Sequence, residues 1–303
     1  MFSVLCNRVW YAVYFTLLHP MLKWLLRKVT GKCELLRISY GEQVGAPRTR
    51  AIEKSLKHSK FQALKRLLTD NHVNIDQAVE QILSIKSITV EVHPQFQPTI
   101  HICLTQICGY REFITELESV RKTPYSSENN RHEEMLLELW RKLMPDVPLQ
   151  SRYNRQWGDI GFQGDDPMTD FRGMGLLGLQ NLLYFATQHN STARQVLSHS
   201  HHPQYGYSFA IVGINLTGVA HQLLISGALK THFYNVVQGK PKLDHFHQVY
   251  CYLFHEFDKF WLAEKPHIME FNKVKAKFAK RIVMHLKDRN ATLSMKCVTS
   301  EAK

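Results

Sequence analysis

Apolar residues recur three and four positions apart along most of the chain, and strict alternation is rare. That spacing predicts helices over 49–68, 75–85, 99–121, 132–143, 175–187, 191–198, 208–229, 243–262 and 268–286. One short β-branched run, Ser87-Ile88-Thr89-Val90-Glu91-Val92, reads as a strand. The expected fold class is all-α, a multi-helix domain with an N-terminal helical extension. Polar turn formers over 122–130 place a seam near residue 130. The chain then divides into an apolar and basic segment at 1–40, a helical region at 41–130, a C-terminal domain at 131–288 and a flexible tail at 289–303.

Two stretches are apolar enough to raise a membrane. Residues 9–18 (VWYAVYFTLL) follow Arg8 as a signal peptide would, but no small-residue cleavage site comes after them. The uncharged span 9–22 is shorter than the roughly 20 residues that cross a bilayer, and it contains Pro20. Trp10, Tyr11, Tyr14 and Trp24 flank it, and Lys23, Arg27, Lys28, Lys32 and Arg37 follow, the pattern of an aromatic and cationic surface anchor. A terminal helix packed on the body fits the same residues. The second stretch, 209–229, is long enough to span, but Asn215, Thr217, His221, Gln222 and Ser226 would need partners in lipid. A helix buried within a soluble bundle can satisfy them, and that reading outweighs a multi-span membrane protein.

Charge and cysteines narrow the picture. The 303 residues carry a net +12, of which residues 1–60 supply most, with 11 Lys and Arg against 3 acids. The nearly balanced body argues against nucleic acid, and the basic N-terminus favours an anionic membrane surface contacted through residues 1–37. Cys6, Cys33, Cys103, Cys108, Cys251 and Cys297 show no paired metal spacing, which points to a reducing compartment. Sequons at Asn190, Asn215 and Asn290 matter only if the chain enters the secretory lumen. The clusters His199, His201, His202 and His245, His247, His255 lack the spacing of a metal site, so no metal is expected.

Residues 157–175 carry the candidate chemistry. Five of the chain's 15 glycines and four acids fall in these 19 residues, between two predicted helices. A connection this long inside a compact domain is functional or disordered, and Trp157, Phe162 and Phe171 argue for an ordered loop. Its one cation is Arg172, and Gly173 and Gly175 beside it would admit a partner's surface.

This loop resembles the ELMO domain family, whose signature runs Trp-x-x-Ile-Gly-Phe-Gln-Gly-x-Asp-Pro-x-Thr-Asp-Phe-Arg-Gly-x-Gly-x-Leu-Gly-Leu. Trp157, Ile160, Gly161, Phe162, Gln163, Gly164, Asp166, Pro167, Thr169, Asp170, Phe171, Arg172, Gly173, Gly175, Leu177, Gly178 and Leu179 match every fixed position. Blocks beginning at His132, Gly206 and His255 look like further family segments, and residues 30–35 with 48–49 are similar to the shorter members. The resemblance implies a GTPase-activating protein for Arf and Arf-like small GTPases in the GTP state, with the residue at Arg172 as the catalytic arginine finger. Such a guanidinium hydrogen-bonds the charge that develops during phosphoryl transfer, typically worth about 10³ to 10⁵ in rate. The partner would supply Mg²⁺ and GTP, so no cofactor of its own is implied. The larger ELMO scaffold proteins, which work with DOCK-type exchange factors on Rac, differ in this loop and lack the arginine. The implied location is cytoplasmic, attached to the cytoplasmic face of an internal membrane such as the endoplasmic reticulum.

Plainer roles stand beside these. Arg172 could pair with Asp165, Asp166 or Asp170 as a structural clamp, and the chain would then be a non-catalytic scaffold that binds a small GTPase or an exchange factor. Trp157, Gln163, Asp166, Thr169, Asp170, Gly173 and Gly175 are read as loop support and partner-binding positions.

Overall fold

The computed structural model describes residues 18–70 and 72–295, so the apolar run at 9–18 lies, apart from Leu18, outside the described residues. Helices make up the fold throughout, as the 3.6-residue spacing requires, and no strand occurs among the described residues. The chain forms two compact units, Met1–Glu112 with Tyr234–Lys240, and Phe113–Phe233 with Pro241–Lys303.

The first unit holds α1 (His19–Thr30), α2 (Glu34–Gly41), α3 (Ala46–Lys57), α4 (Gln62–Arg66), α5 (Ile75–Lys86) and the first part of α6 (Phe96–Lys122). The continuous helix expected over 49–68 is broken between α3 and α4, where Phe61 N–H turns back to the hydroxyl of Ser59. The strand expected at 87–92 is a turn. Ser87 closes α5 in the left-handed region at φ 50°, Ile88 N–H returns to Leu83 and Val92 is exposed. With no second alternating segment to pair with, the run satisfies its backbone locally. The segment 234–240 is tied into this unit by Gln106, whose Nε2 donates to the carbonyls of Tyr234 (3.1 Å) and Val237 (2.6 Å). Asn235 Oδ1 accepts from Ala46 N–H at 2.8 Å.

The second unit contains α7 (Asn130–Leu143), α8 (Gly175–Gln188), α9 (Asn190–Ser200), α10 (Phe209–Ile225), α12 (Leu243–Glu264) and α13 (Phe271–His285), with the short α11 (Lys230–Val236) running from it into the first. Asn129 starts α7 by accepting from the N–H groups of Arg131 and His132. Around α8 pack α7, α9, α10 and α12, and α13 lies on α12 through Val274, Phe278 and Ile282.

The stretch 208–229 is the core helix its polar residues called for, ending at Ile225. Thr217 Oγ1 accepts from Asn181 Nδ2 at 3.0 Å, and the Nδ1–H of the buried His247 donates to Asn181 Oδ1 at 2.6 Å. Burial lowers the His247 pKa to about 4, so the ring is neutral near pH 7. His221 donates to Glu118, and Asn215 accepts from Lys275. No single helix among the described residues is long and apolar enough to cross a membrane; α10 and α11 pass on length and composition only as a pair bent by 82°. Cys103, Cys108 and Cys251 are buried free thiols whose pKa burial pushes up.

Candidate functional site

Two 3₁₀ turns, Arg155–Ile160 and Pro167–Gly173, give the loop its shape. Asn154 caps the first by accepting from Gln156 N–H, and Asp166 caps the second by accepting from Met168 N–H at 3.0 Å, with Pro167 at the first position. Asn154 N–H closes the loop onto Asp165 O at 3.0 Å.

An aromatic ladder lies beneath it. Trp140 meets Trp157 edge-on at 5.5 Å, Trp157 meets Phe162 at 6.0 Å, Phe162 meets Phe171 at 5.5 Å, and Phe171 meets Tyr125 at 5.3 Å. Trp157 is fully buried and its Nε1–H donates to Arg152 O at 2.8 Å. Gly161, at φ +83°, lies so close to the start of α10 that a Cβ would fall 2.2 Å from Phe209 N. Gly175, at φ +52°, would place one 2.2 Å from Arg121 O. Both glycines are therefore required by contacts inside the unit. Gly173 faces open space, and its carbonyl accepts from Arg121 Nη1 at 3.3 Å.

The clamp of this loop is Arg152, which the sequence reading did not single out. Its Nε donates to Glu133 at 2.5 Å and its Nη2 to Asp166 at 3.0 Å and Tyr125 Oη at 3.3 Å, while the guanidinium lies over the Tyr153 ring at 4.9 Å. Burial alone would lower its pKa, but the bonds to Glu133 and Asp166 outweigh that and raise it. Glu133 is 19 residues away on α7, so only the folded chain reveals the pair. The one available signal was a pair of arginines, Arg152 and Arg155, just upstream of an acid-rich loop.

The other acids make their hydrogen bonds and close ion pairs elsewhere than on Arg172, whose charge still favours the ionised form of Asp170 from a distance. Asp170 Oδ2 accepts from Gln163 N–H at 2.8 Å, and burial raises the Asp170 pKa. Asp165 faces Arg155 at 3.8 Å. Gln163, Thr169 and Arg172 are exposed, and Met168 between them is 44% exposed. Arg172 makes no hydrogen bond or ion pair among the described residues. Glu118 anchors the far end of the loop through a two-pronged contact with Arg121 (2.8 and 2.6 Å) and a bond from His221 (2.9 Å), which together lower its pKa to about 2.

Beside the loop a groove of about 1000 Å³ runs between α10 and α13. Met174, Ile214, Val219, Leu223, Ala279 and Val283 are among its lining residues. No group of three or more His, Cys, Asp or Glu placed to hold a metal ion occurs among the described residues.

Comparison with known proteins extends the resemblance seen in the loop. The model of the ELMO/CED-12 family matches residues 115–275. ELMO domain-containing protein 1 of Pongo abelii is 49% identical, covering 95% of this chain and 94% of its own. ELMO domain-containing protein 2 of Mus musculus is 51% identical, covering 95% and 98%. ELMO domain-containing protein B of Dictyostelium discoideum is 36% identical, covering 86% and 92%. No solved structure matches.

These findings correct the expected enzyme. The clamp expected of Arg172 is not formed either, because Asp166 pairs with Arg152, Asp165 faces Arg155 and Asp170 accepts from Gln163 N–H, which leaves Arg172 exposed. The match to the family that includes the ELMO scaffold proteins instead favours the non-catalytic alternative, and the GTPase-activating, arginine-finger and Arf-partner readings are withdrawn.

Proposed function

The chain belongs to the ELMO/CED-12 family, and on that premise we propose that it is a non-catalytic scaffold that binds a small GTPase or its exchange factor through the surface of the 157–175 loop. The observation that carries this reading is the contrast between a rigid underside and an open top. Trp157, Asp166, Asp170 and Gly175 hold the loop from below, while Gln163, Met168, Thr169 and Arg172 are exposed on a support that would lose little entropy on docking. An exposed arginine beside an apolar side chain is a common energetic centre of protein interfaces.

Biolayer interferometry with the full chain tests it, using a purified Rac-type GTPase in both nucleotide states and a DOCK-type exchange factor. Combining Met168→Asp with Arg172→Glu is expected to weaken binding at least about ten-fold, or about 1.4 kcal/mol. GTP hydrolysis by the bound GTPase should not change. Accelerated hydrolysis, or unaltered binding by the double variant, overturns the scaffold reading.

The scaffold works in the cytoplasm against the cytoplasmic face of an internal membrane such as the endoplasmic reticulum. Support comes from α1, where Met21, Trp24 and Val29 are 67%, 60% and 75% exposed among Lys23, Arg27 and Lys28. In flotation with phosphatidylserine vesicles, Trp24→Glu combined with Leu25→Glu should reduce recovery at least about five-fold, since both lose interfacial apolar contact. Equal recovery of variant and wild type would remove α1 from the membrane contact.

A further inference from the structure

The groove between α10 and α13 has a head end and a tail end. Asn215 of α10 accepts from Lys275 Nζ of α13 at 2.8 Å, while Leu223 and Ser226 later in α10 line the groove together with Val283 and Met284 later in α13. Nine residues of α13 separate Lys275 from Met284, a rise of about 14 Å. At one end stand the half-buried Lys275 ammonium and the Asn215 amide. At the other, Leu223, Val283 and Met284 bring apolar side chains to a lining that also holds the uncharged Gln222 and Ser226.

The charges are also one-sided. The α10 wall contributes none, and α13 carries Lys275 and Lys280 into the lining. Lys273 pairs with Glu270 and Lys277 with Glu264, but no carboxylate lies within 4 Å of Lys275 or Lys280 among the described residues. Asp170, the one acid in the lining, accepts the Gln163 N–H. A half-desolvated cation beside an apolar channel is the arrangement that a negatively charged head on a long apolar tail would complete.

We propose that this groove binds a free single-chain anionic lipid, its acidic head on Lys275 and its tail along Val219, Leu223, Ala279 and Val283. The inference does not rest on the scaffold reading, because it concerns a different surface and needs no protein partner.

The probe is cis-parinaric acid, a fluorescent fatty acid, titrated into the full chain below its micelle concentration. A saturable rise in fluorescence is expected. Palmitate should displace it at least ten-fold better than hexadecanol, and a quaternary ammonium of the same chain length should displace it worst. Lys275→Gln should erase the preference for the acid, and Ala279→Trp should weaken all binding at least ten-fold by filling the channel. Met284→Glu, at a position 61% exposed, introduces a charge at the tail end without disturbing the core and should have the same effect. Trp24→Glu on α1 should leave the titration unchanged. No saturable signal, equal displacement by acid and alcohol, or wild-type binding by Met284→Glu would each overturn the proposal. Loss of binding on Trp24→Glu alone would move the lipid to α1 and overturn it as well.

Discussion

Trp157→Ala is expected to lower the stability of the folded chain by about 4 kcal/mol, measured as a shift in the urea unfolding midpoint at unchanged slope. The indole is fully buried, contacts Trp140 and Phe162 edge-on, and closes the loop through its bond to Arg152 O. Alanine leaves a cavity that its neighbours can fill only by shifting, and an unpaired carbonyl at Arg152. Trp157→Phe keeps most of the packing and should cost roughly half as much, mainly through the lost hydrogen bond and the smaller ring. A cost below about 1 kcal/mol for the alanine variant would show that the ladder does not hold the loop.

Arg152→Met should cost about 3 kcal/mol, at the low end for breaking a buried ion pair, because the Arg152 side chain retains 17% exposure. Methionine fills much of the volume but leaves Glu133 and Asp166 as partly buried carboxylates without their shared cation. The uncompensated charge left between them sets the cost. Adding Glu133→Gln should recover part of the loss in a double-mutant cycle. Thermal melts of the single and double variants provide the measurement, and no recovery in the Glu133→Gln background would mean that lost packing, rather than uncompensated charge, sets the cost.

The loop's order was legible because three large aromatics cannot remain in water together, and α10's burial because its amides, hydroxyl and imidazole had to find partners. The helices expected at 75–85 and 132–143 begin within two residues of α5 and α7, whose starts Asn74 and Asn129 cap with their side chains. What escaped was non-local. The clamp on Asp166 comes from Arg152 and Glu133, on segments that spacing alone does not bring together, so a search among the loop's own charges settled on Arg172. The positive φ of Gly161 and Gly175 was invisible, and Gly175, which serves a backbone contact inside the unit, was read together with the open Gly173 as room for a partner. The run at 87–92 had strand composition but no neighbour to pair with, and α2 was too short to show a period.

The order of the two units along the chain separates what the family model matches from what can be cut out. The family match at 115–275 encloses the segment Tyr234–Lys240, yet that segment belongs to the other unit and takes its bonds there from Gln106 and Ala46. A fragment trimmed to the matched residues would carry these seven with their carbonyls and the Asn235 amide stripped of partners, and would begin partway along α6. The stretch that the family model matches and the compact units of this chain therefore have different boundaries, and deletion mapping based on the first would confuse lost folding with lost function.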